Sequence, residues 1–189
     1  MSSRINPVNA PYSEAVQAGF NVVMPEGMPP LNIFRTMANN PRVLSRMVQG
    51  GLLDRGSISV AERELVILRS CALCGAEYEW GVHAAVFSAQ AGFSEEQIAA
   101  TCAIDNKLSE DDSMWSNDQC LLLAMVDELH STQTLSDALW SRLAQQYSSE
   151  QLVELVMLAG LYHAVSFVVN AFQVEREAFA PSFPAQGTA

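Results

Sequence analysis

Ser59-Val-Ala-Glu62-Arg-Glu64-Leu-Val-Ile-Leu68-Arg-Ser-Cys71-Ala-Leu-Cys74-Gly75 is the stretch that decides the fold. Ser59 followed three residues later by Glu62 is a capping box. The hydroxyl accepts from the N–H of the third helical residue, and that residue's carboxylate reaches back to the N-cap N–H. The helix so opened carries the apolar run 65–68, and Gly75 is a natural stop or kink. The same grammar recurs on either side. Upstream, helices are expected over 31–38 and 41–53, the second starting on Pro41, where a missing N–H costs nothing. Downstream, a helix is expected over 76–91, ended by Gly92. Ser94-Glu-Glu-Gln97 is a second capping box, for a helix to about residue 104. Leu121, Leu122, Met125, Val126 and Leu129 recur at the helical period within 116–129. Two last helices are expected over 136–147 and 149–172. No alternating strand with a hairpin turn interrupts this series, so the expected fold class is an all-α, single-domain helical bundle.

The flanks read differently. Pro7, Pro11, Pro25, Pro29 and Pro30 make residues 1–30 an irregular arm with a short helix near 13–20. Residues 31–175 form the helical domain, with a polar loop at 107–113. Residues 176–189, with Pro181 and Pro184, are expected to be a flexible tail. A faint repeat aligns Ser59 to Leu68 without gaps on Ser149 to Leu158, matching the serine, Glu64 with Glu154, and the Leu-Val-x-Leu.

Composition excludes several functions. The chain has 189 residues, 49 % hydrophobic and 16 % charged, which rules out intrinsic disorder. Ten basic against 21 acidic residues give a net charge of −11. Such a chain repels phosphate backbones and anionic bilayers, so neither nucleic acid nor membrane is an expected partner. The N-terminal residues show no apolar signal core, and the apolar stretch 152–164 is broken by Glu154 and His163. A cytoplasmic protein is expected, with Cys71, Cys74, Cys102 and Cys120 as thiols. The low charged fraction hints at apolar surface buried between subunits.

Residues that could carry chemistry lie between 62 and 83. Glu79 and His83 are four apart and share a helix face, where a carboxylate can orient an imidazole and stabilise its charged form. Such a pair moves protons near neutral pH, though a surface pair has the same spacing. Glu64 falls on the stripe of Leu68 and Cys71. If that stripe is buried, the carboxylate is desolvated and suits a base; a first-turn Glu facing solvent is the plainer alternative. Cys71 and Cys74 form a C-x-x-C that suits a dithiol couple or two small residues filling a helix interface. A metal reading lacks a second C-x-x-C, and His83 lies nine residues past Cys74 across a glycine. No metal and no cofactor is expected. Tyr78 and Trp80 flank Glu79 and could line a pocket for a planar substrate, or belong to the core. His130 and His163 remain, the latter in an apolar helix.

The run Arg63-Glu64-Leu-Val-Ile-Leu, then Gly75-x-x-Tyr78-Glu79-Trp80-x-x-His83, then Ala91-Gly92-Phe-Ser-Glu-Glu-Gln-Ile98, resembles the carboxymuconolactone decarboxylase family. Its superfamily also contains the alkylhydroperoxidase D enzymes. Asn32-Ile-Phe-Arg-Thr-Met-Ala-Asn-Asn-Pro41 and Gly160-Leu-Tyr-His163 look like flanks of the same group, so the resemblance covers roughly residues 30–175. It implies an all-α fold assembled into homo-oligomers, often trimers or hexamers. It also raises Glu64, Glu79 and His83 as catalytic residues. The peroxidase branch is similar only in part. Its signature places a C-x-x-C so that a histidine follows the second cysteine by four. Anchored on His83, the cysteines would stand at Ala76 and Glu79, and Cys71-x-x-Cys74 lies five residues too early.

The resemblance therefore implies a cofactor-independent, decarboxylase-like lyase acting on a small organic acid or lactone. His83 would carry the proton, Glu79 would orient it, and Glu64 would be a second acid/base group. Arg63, Arg69, Arg35 or protonated His83 would meet an acidic substrate. The alternatives are a thiol peroxidase using Cys71 and Cys74, and a non-catalytic helical oligomer.

Overall fold

The computed structural model describes residues 3–103 and 114–185. Over these residues the chain is all-helical, without a strand. The helices are α1 (Glu14–Val23), α2 (Asn32–Met37), α3 (Pro41–Gln49), α4 (Val60–Leu73), α5 (Glu77–Val86), α6 (Ser88–Ala91), α7 (Glu95–Ala100), α8 (Asn117–Thr132), α9 (Asp137–Gln146) and α10 (Ser149–Phe172). The expected loop 107–113 and the expected end of a helix at 104 lie outside the described residues.

α4 is the axis of the molecule. Both halves of the Ser59–Glu62 capping box form. From Arg63 to Ala72 every residue is buried, because α5, α6, α8 and α10 pack around the helix. A helix buried on all sides must neutralise any charge it carries. Arg69 does so through two bonds to Asp127, 2.6 and 3.0 Å long, and through the carbonyls of Thr101 and Ala103. Arg63 and Glu64 answer each other at 2.9 Å.

The end of α4 sets up the site. The Gly75 N–H bonds the carbonyl of Ala72, and the Ala76 N–H bonds that of Cys71, while Gly75 takes φ +62°. This pairing closes the helix and reverses the chain, and it needs a residue tolerant of positive φ. α5 then runs back along α4, so that residues well separated in sequence face one another. The expected helix over 76–91 is split into α5 and α6 at Phe87, a turn residue whose φ of −113° distorts the helix locally.

α10 is long and apolar enough by length and composition to cross a membrane. Here it is a core helix, burying Leu155, Leu158, Ala159, Tyr162 and Val165 among others. Its cap is Ser148, with Gln151 completing the box. Ser149 is therefore the first helical residue, and the repeat that equates it with the cap Ser59 is out of register by one at its start.

Two flanks are more ordered than the sequence suggests. Within the arm, Ser13 caps α1, which continues to Val23 and packs Val16 and Phe20 against Leu44 and Val48 of α3. Residues 176–185, expected to be flexible, lie on α5. Arg176 pairs with Glu77, the Phe183 N–H bonds the other oxygen of Glu77, and the Phe183 ring packs on Trp80.

Candidate active site

α4, α5 and α10 bring four ionisable side chains together. His83 of α5 is buried, 2 % exposed. Its Nδ1 lies 2.7 Å from Glu64 Oε2 on α4, and the ring N–H must donate there because a carboxylate only accepts. Its Nε2 lies 3.0 Å from the Tyr162 hydroxyl on α10 and 3.5 Å from Glu79 Oε1. The imidazole is thus held at both nitrogens. The Phe87 ring lies tilted against it at 32° and the Tyr162 ring meets it edge-on at 86°, each with its centroid 5.1 Å away. The second oxygen of Glu64 accepts from Arg63, whose guanidinium sits over the Phe87 ring and also donates to the carbonyl of Leu53.

This geometry changes the roles drawn from sequence. Glu64 orients the ring, with the short bond to Nδ1. Glu79, expected to do this from its i, i+4 position, makes only the longer ion pair on the opposite nitrogen. Its other oxygen, Oε2, is buried without a hydrogen-bond partner. Tyr162, which stands in the Gly160-Leu-Tyr-His163 flank, is given no site role from sequence. Seventy-nine positions separate it from His83, and no spacing rule links them.

Burial pushes the His83 imidazole toward its neutral form. The hydrogen bonds and charges of Glu64 and Glu79 outweigh that penalty and hold its pKa up at about 9. The ring is therefore cationic at neutral pH. Tyr162 also has its pKa driven up, well above the usual phenol range, by burial and then by the negative charge of Glu79. It stays a phenol that can donate to, or accept from, Nε2.

Tyr78 and Trp80 do not join this group. The Tyr78 hydroxyl donates to Glu177 at 2.7 Å and accepts from the Ile33 N–H, pinning α2 and residue 177 to α5. The Trp80 indole donates to the Thr101 hydroxyl at 2.9 Å. Both rings belong to the core rather than to a substrate pocket. Of the candidate cations, His83 itself and Arg63 are at the site. Arg69 is taken by Asp127, and Arg35 is bound to the carbonyl of Val8 and to Asn9 and Asn32.

The two cysteines of the C-x-x-C differ in burial. Cys71 is fully buried near Ser166, and burial followed by the charge of Glu79 raises its thiol pKa well above the ordinary value. Cys74, at the end of α4, is only half-buried, and its Sγ lies 3.9 Å from His130 Nδ1. Two open clefts, lined by residues of the arm, α1 and the start of α3, share no residue with the His83 group.

Residues 41–110 match the model of the carboxymuconolactone decarboxylase family. No functionally curated protein matches the chain in sequence. Among solved structures, the chain is similar to an uncharacterized peroxidase-related protein from Ralstonia eutropha JMP134 with an alkylhydroperoxidase AhpD core. The TM-score is 0.76 at 14 % identity, over 92 % of this chain and 93 % of that one. It is similar to an uncharacterized peroxidase-related protein from Silicibacter sp. TM1040, with TM-score 0.74 and 15 % identity over 96 % of each chain. It is also similar to a cysteine-to-alanine variant of the debrominase Bmp8 solved with 2,3,4-tribromopyrrole. There the TM-score is 0.72 at 17 % identity, over 95 % of this chain and 94 % of that one. At these identities the likeness speaks for the fold. With the family match, it supports placing the chain in the superfamily of carboxymuconolactone decarboxylases and AhpD-like proteins.

Proposed function

We propose that the protein is a cofactor-independent acid/base enzyme of the carboxymuconolactone decarboxylase type, acting on a small organic acid or lactone. The observation that carries this reading is the buried imidazole bound by Glu64 on Nδ1 and by Tyr162 and Glu79 on Nε2. A cationic His83 meets two needs of such a reaction. It attracts a carboxylate substrate to an otherwise acidic protein, and it holds a proton ready for carbon. In a decarboxylation the bond to the carboxylate breaks and carbon dioxide leaves. The electron pair passes into the conjugated carbonyl, and the Nε2 proton of His83 quenches the resulting carbanion. Glu64 keeps the ring oriented and stabilises its charge before transfer. Tyr162 bonds the neutral nitrogen afterwards, until solvent returns the proton.

A homo-oligomer fits the same reading. Val153, Met157 and Phe167 are exposed along one face of α10, with Gly160 and Ala164 between them. The alternation of four and three residues is the spacing of a helix seam that packs on another helix.

A thiol peroxidase using Cys71 and Cys74 is the second reading, favoured by the peroxidase-related names of the structural neighbours. The buried, high-pKa thiol of Cys71 argues against it, because the thiolate is the nucleophile.

The test is carbon dioxide release from a panel of lactones and unsaturated acids by wild type, His83→Gln and Cys71→Ala. The expected result is a loss of about 10²–10⁴-fold in His83→Gln, the usual worth of a positioned acid or base. Cys71→Ala should retain turnover. Equal turnover of every accepted substrate by His83→Gln overturns the proposal. Peroxide-dependent loss of the Cys71 and Cys74 thiols would favour the second reading instead.

A further inference from the structure

A second polar cluster lies at the far end of α4, built from three residues that the proposed reaction does not use. We propose that Cys74, His130 and His163 bind one zinc-class divalent cation through three protein ligands, leaving a fourth position to water.

The geometry comes first. Cys74 Sγ, a nitrogen of His130 and a nitrogen of His163 all lie within 4.8 Å of one another. Cys74 Sγ to His130 Nδ1 is 3.9 Å, and His130 Nδ1 to His163 Nε2 is 3.0 Å. Tetrahedral zinc, with bonds near 2.3 Å to sulfur and 2.0–2.1 Å to nitrogen, requires sulfur–nitrogen edges of about 3.6 Å and nitrogen–nitrogen edges of about 3.3 Å. The sulfur–nitrogen edge is a few tenths of an ångström longer than required and the nitrogen–nitrogen edge a few tenths shorter, so ion entry needs rotamer adjustments of that size.

The second observation concerns the tautomer. His163 Nδ1 lies 2.8 Å from the carbonyl of Ala159, one turn back on α10, and so must carry the proton. That leaves the Nε2 lone pair aimed at the cluster. A backbone carbonyl that fixes a ligating histidine in this way is the usual support of a metal-bound imidazole. The end of α4 is fixed too, because Asn170 donates to the carbonyl of Cys74 at 2.8 Å.

The third is electrostatic. Cys74 caps the C-terminus of α4, and His130 lies in the last turn of α8. Two helix C-termini therefore converge on the cluster, and both favour a cation. One thiolate and two imidazoles without a carboxylate select zinc-like ions over calcium or magnesium. All three residues are half-buried, which gives an ion a path in and a solvent side for its fourth ligand. On binding, the Cys74 thiol proton is released to solvent. The proton shared between the two imidazoles moves to His130 Nε2.

The experiment uses the full chain, stripped with a chelator and titrated with Zn²⁺ against a chromophoric competitor, with Co²⁺ as spectroscopic substitute. One ion per chain is expected, with a thiolate-to-cobalt charge-transfer band. Cys74→Ser should abolish the band. Cys74→Ser, His130→Gln and His163→Gln should each weaken Zn²⁺ binding by about 100-fold or more, since even supporting partners are worth 10–100-fold. Cys102→Ser should bind like wild type. Should a variant not fold, wild type alone decides, through the cobalt band and through protection of Cys74 from alkylation by Zn²⁺. Absence of both in wild type overturns the proposal, as does a charge-transfer band that survives Cys74→Ser in a folded variant.

Discussion

Replacing Glu64 with Gln keeps the shape of the side chain and removes its charge, so it tests what holds the His83 proton. In the native protein the ring titrates at about 9 against an ordinary 6.5, despite complete burial, which acts in the opposite direction. The hydrogen bond from Nδ1 to Glu64, 2.7 Å long, is the largest of the effects that raise it. A hydrogen bond to a charged group contributes about 1.5–3 kcal/mol, and one pKa unit corresponds to about 1.4 kcal/mol. Loss of the Glu64 charge should therefore lower the His83 pKa by about 1–2 units, with Glu79 alone left to support the cation. The same change strips Arg63 of its buried anion, so stability should fall by on the order of 3 kcal/mol. The assay is a pH titration of ring nitrogen-15 shifts, with His83 assigned from the spectrum of His83→Gln. Urea unfolding supplies the stability. A His83 titration that is the same in Glu64→Gln as in wild type would show that Glu64 does not hold the proton. A wild-type ring that titrates at its ordinary value would refute the reasoning.

Four further outcomes follow from the same contacts. Because the folded-state pKa of His83 is raised, its contribution to stability is complete below about pH 6.5 and is lost as pH rises through about 9. Unfolding free energy should fall by on the order of 3 kcal/mol across that window in wild type and not in His83→Gln. Tyr162→Phe keeps the ring against His83 and deletes one hydrogen bond. It should change stability by about 1 kcal/mol or less and slow turnover by about 10-fold; unchanged kcat would remove Tyr162 from the relay. Gly81→Ala places a methyl on the carbonyl oxygen of Pro181, and should release residues 176–185 to limited proteolysis at a cost of about 1–3 kcal/mol. Phe167→Asp puts a charge on the exposed apolar face of α10 and should dissociate an oligomer in sedimentation velocity; a monomeric wild type contradicts the premise.

The helices were legible because their signals are local. Ser59 with Glu62 and Ser94 with Gln97 form the capping boxes that their spacing announces, and Gly75 takes the positive φ that makes it a stop. Glu64 was legible as a candidate because the 100° step placed it on the stripe of Leu68 and Cys71, and all three are buried. What the sequence could not supply was the partner across the bundle. The choice between Glu64 and Glu79 as the residue that orients His83 depends on how α5 folds back over α4. The i, i+4 rule favours Glu79 because it knows only one helix. Tyr162 and the grouping of Cys74 with His130 and His163 are tertiary facts of the same kind. Tyr78 and Trp80 misled because aromatic residues beside a carboxylate look alike whether they line a pocket or bury their polar tips against Glu177 and Thr101.

The division of Cys71 from Cys74 bears most directly on the chemistry. A dithiol catalyst needs one thiol that ionises readily and can be reached by its substrate. Cys71 meets neither condition. It is fully buried, and the negative charges of Glu79 and Glu64 oppose a thiolate beside them. Those same charges hold a proton on His83, so the environment that suppresses one nucleophile sustains the proposed acid. Cys74 is only half-buried, and its Sγ lies beside the histidines of α8 and α10. On α10, Tyr162 and His163 are consecutive and project about 100° apart. One serves the imidazole of α5 and the other the thiol of α4. Any peroxidase chemistry at this C-x-x-C would have to start from the half-buried thiol of Cys74 rather than from the buried one of Cys71.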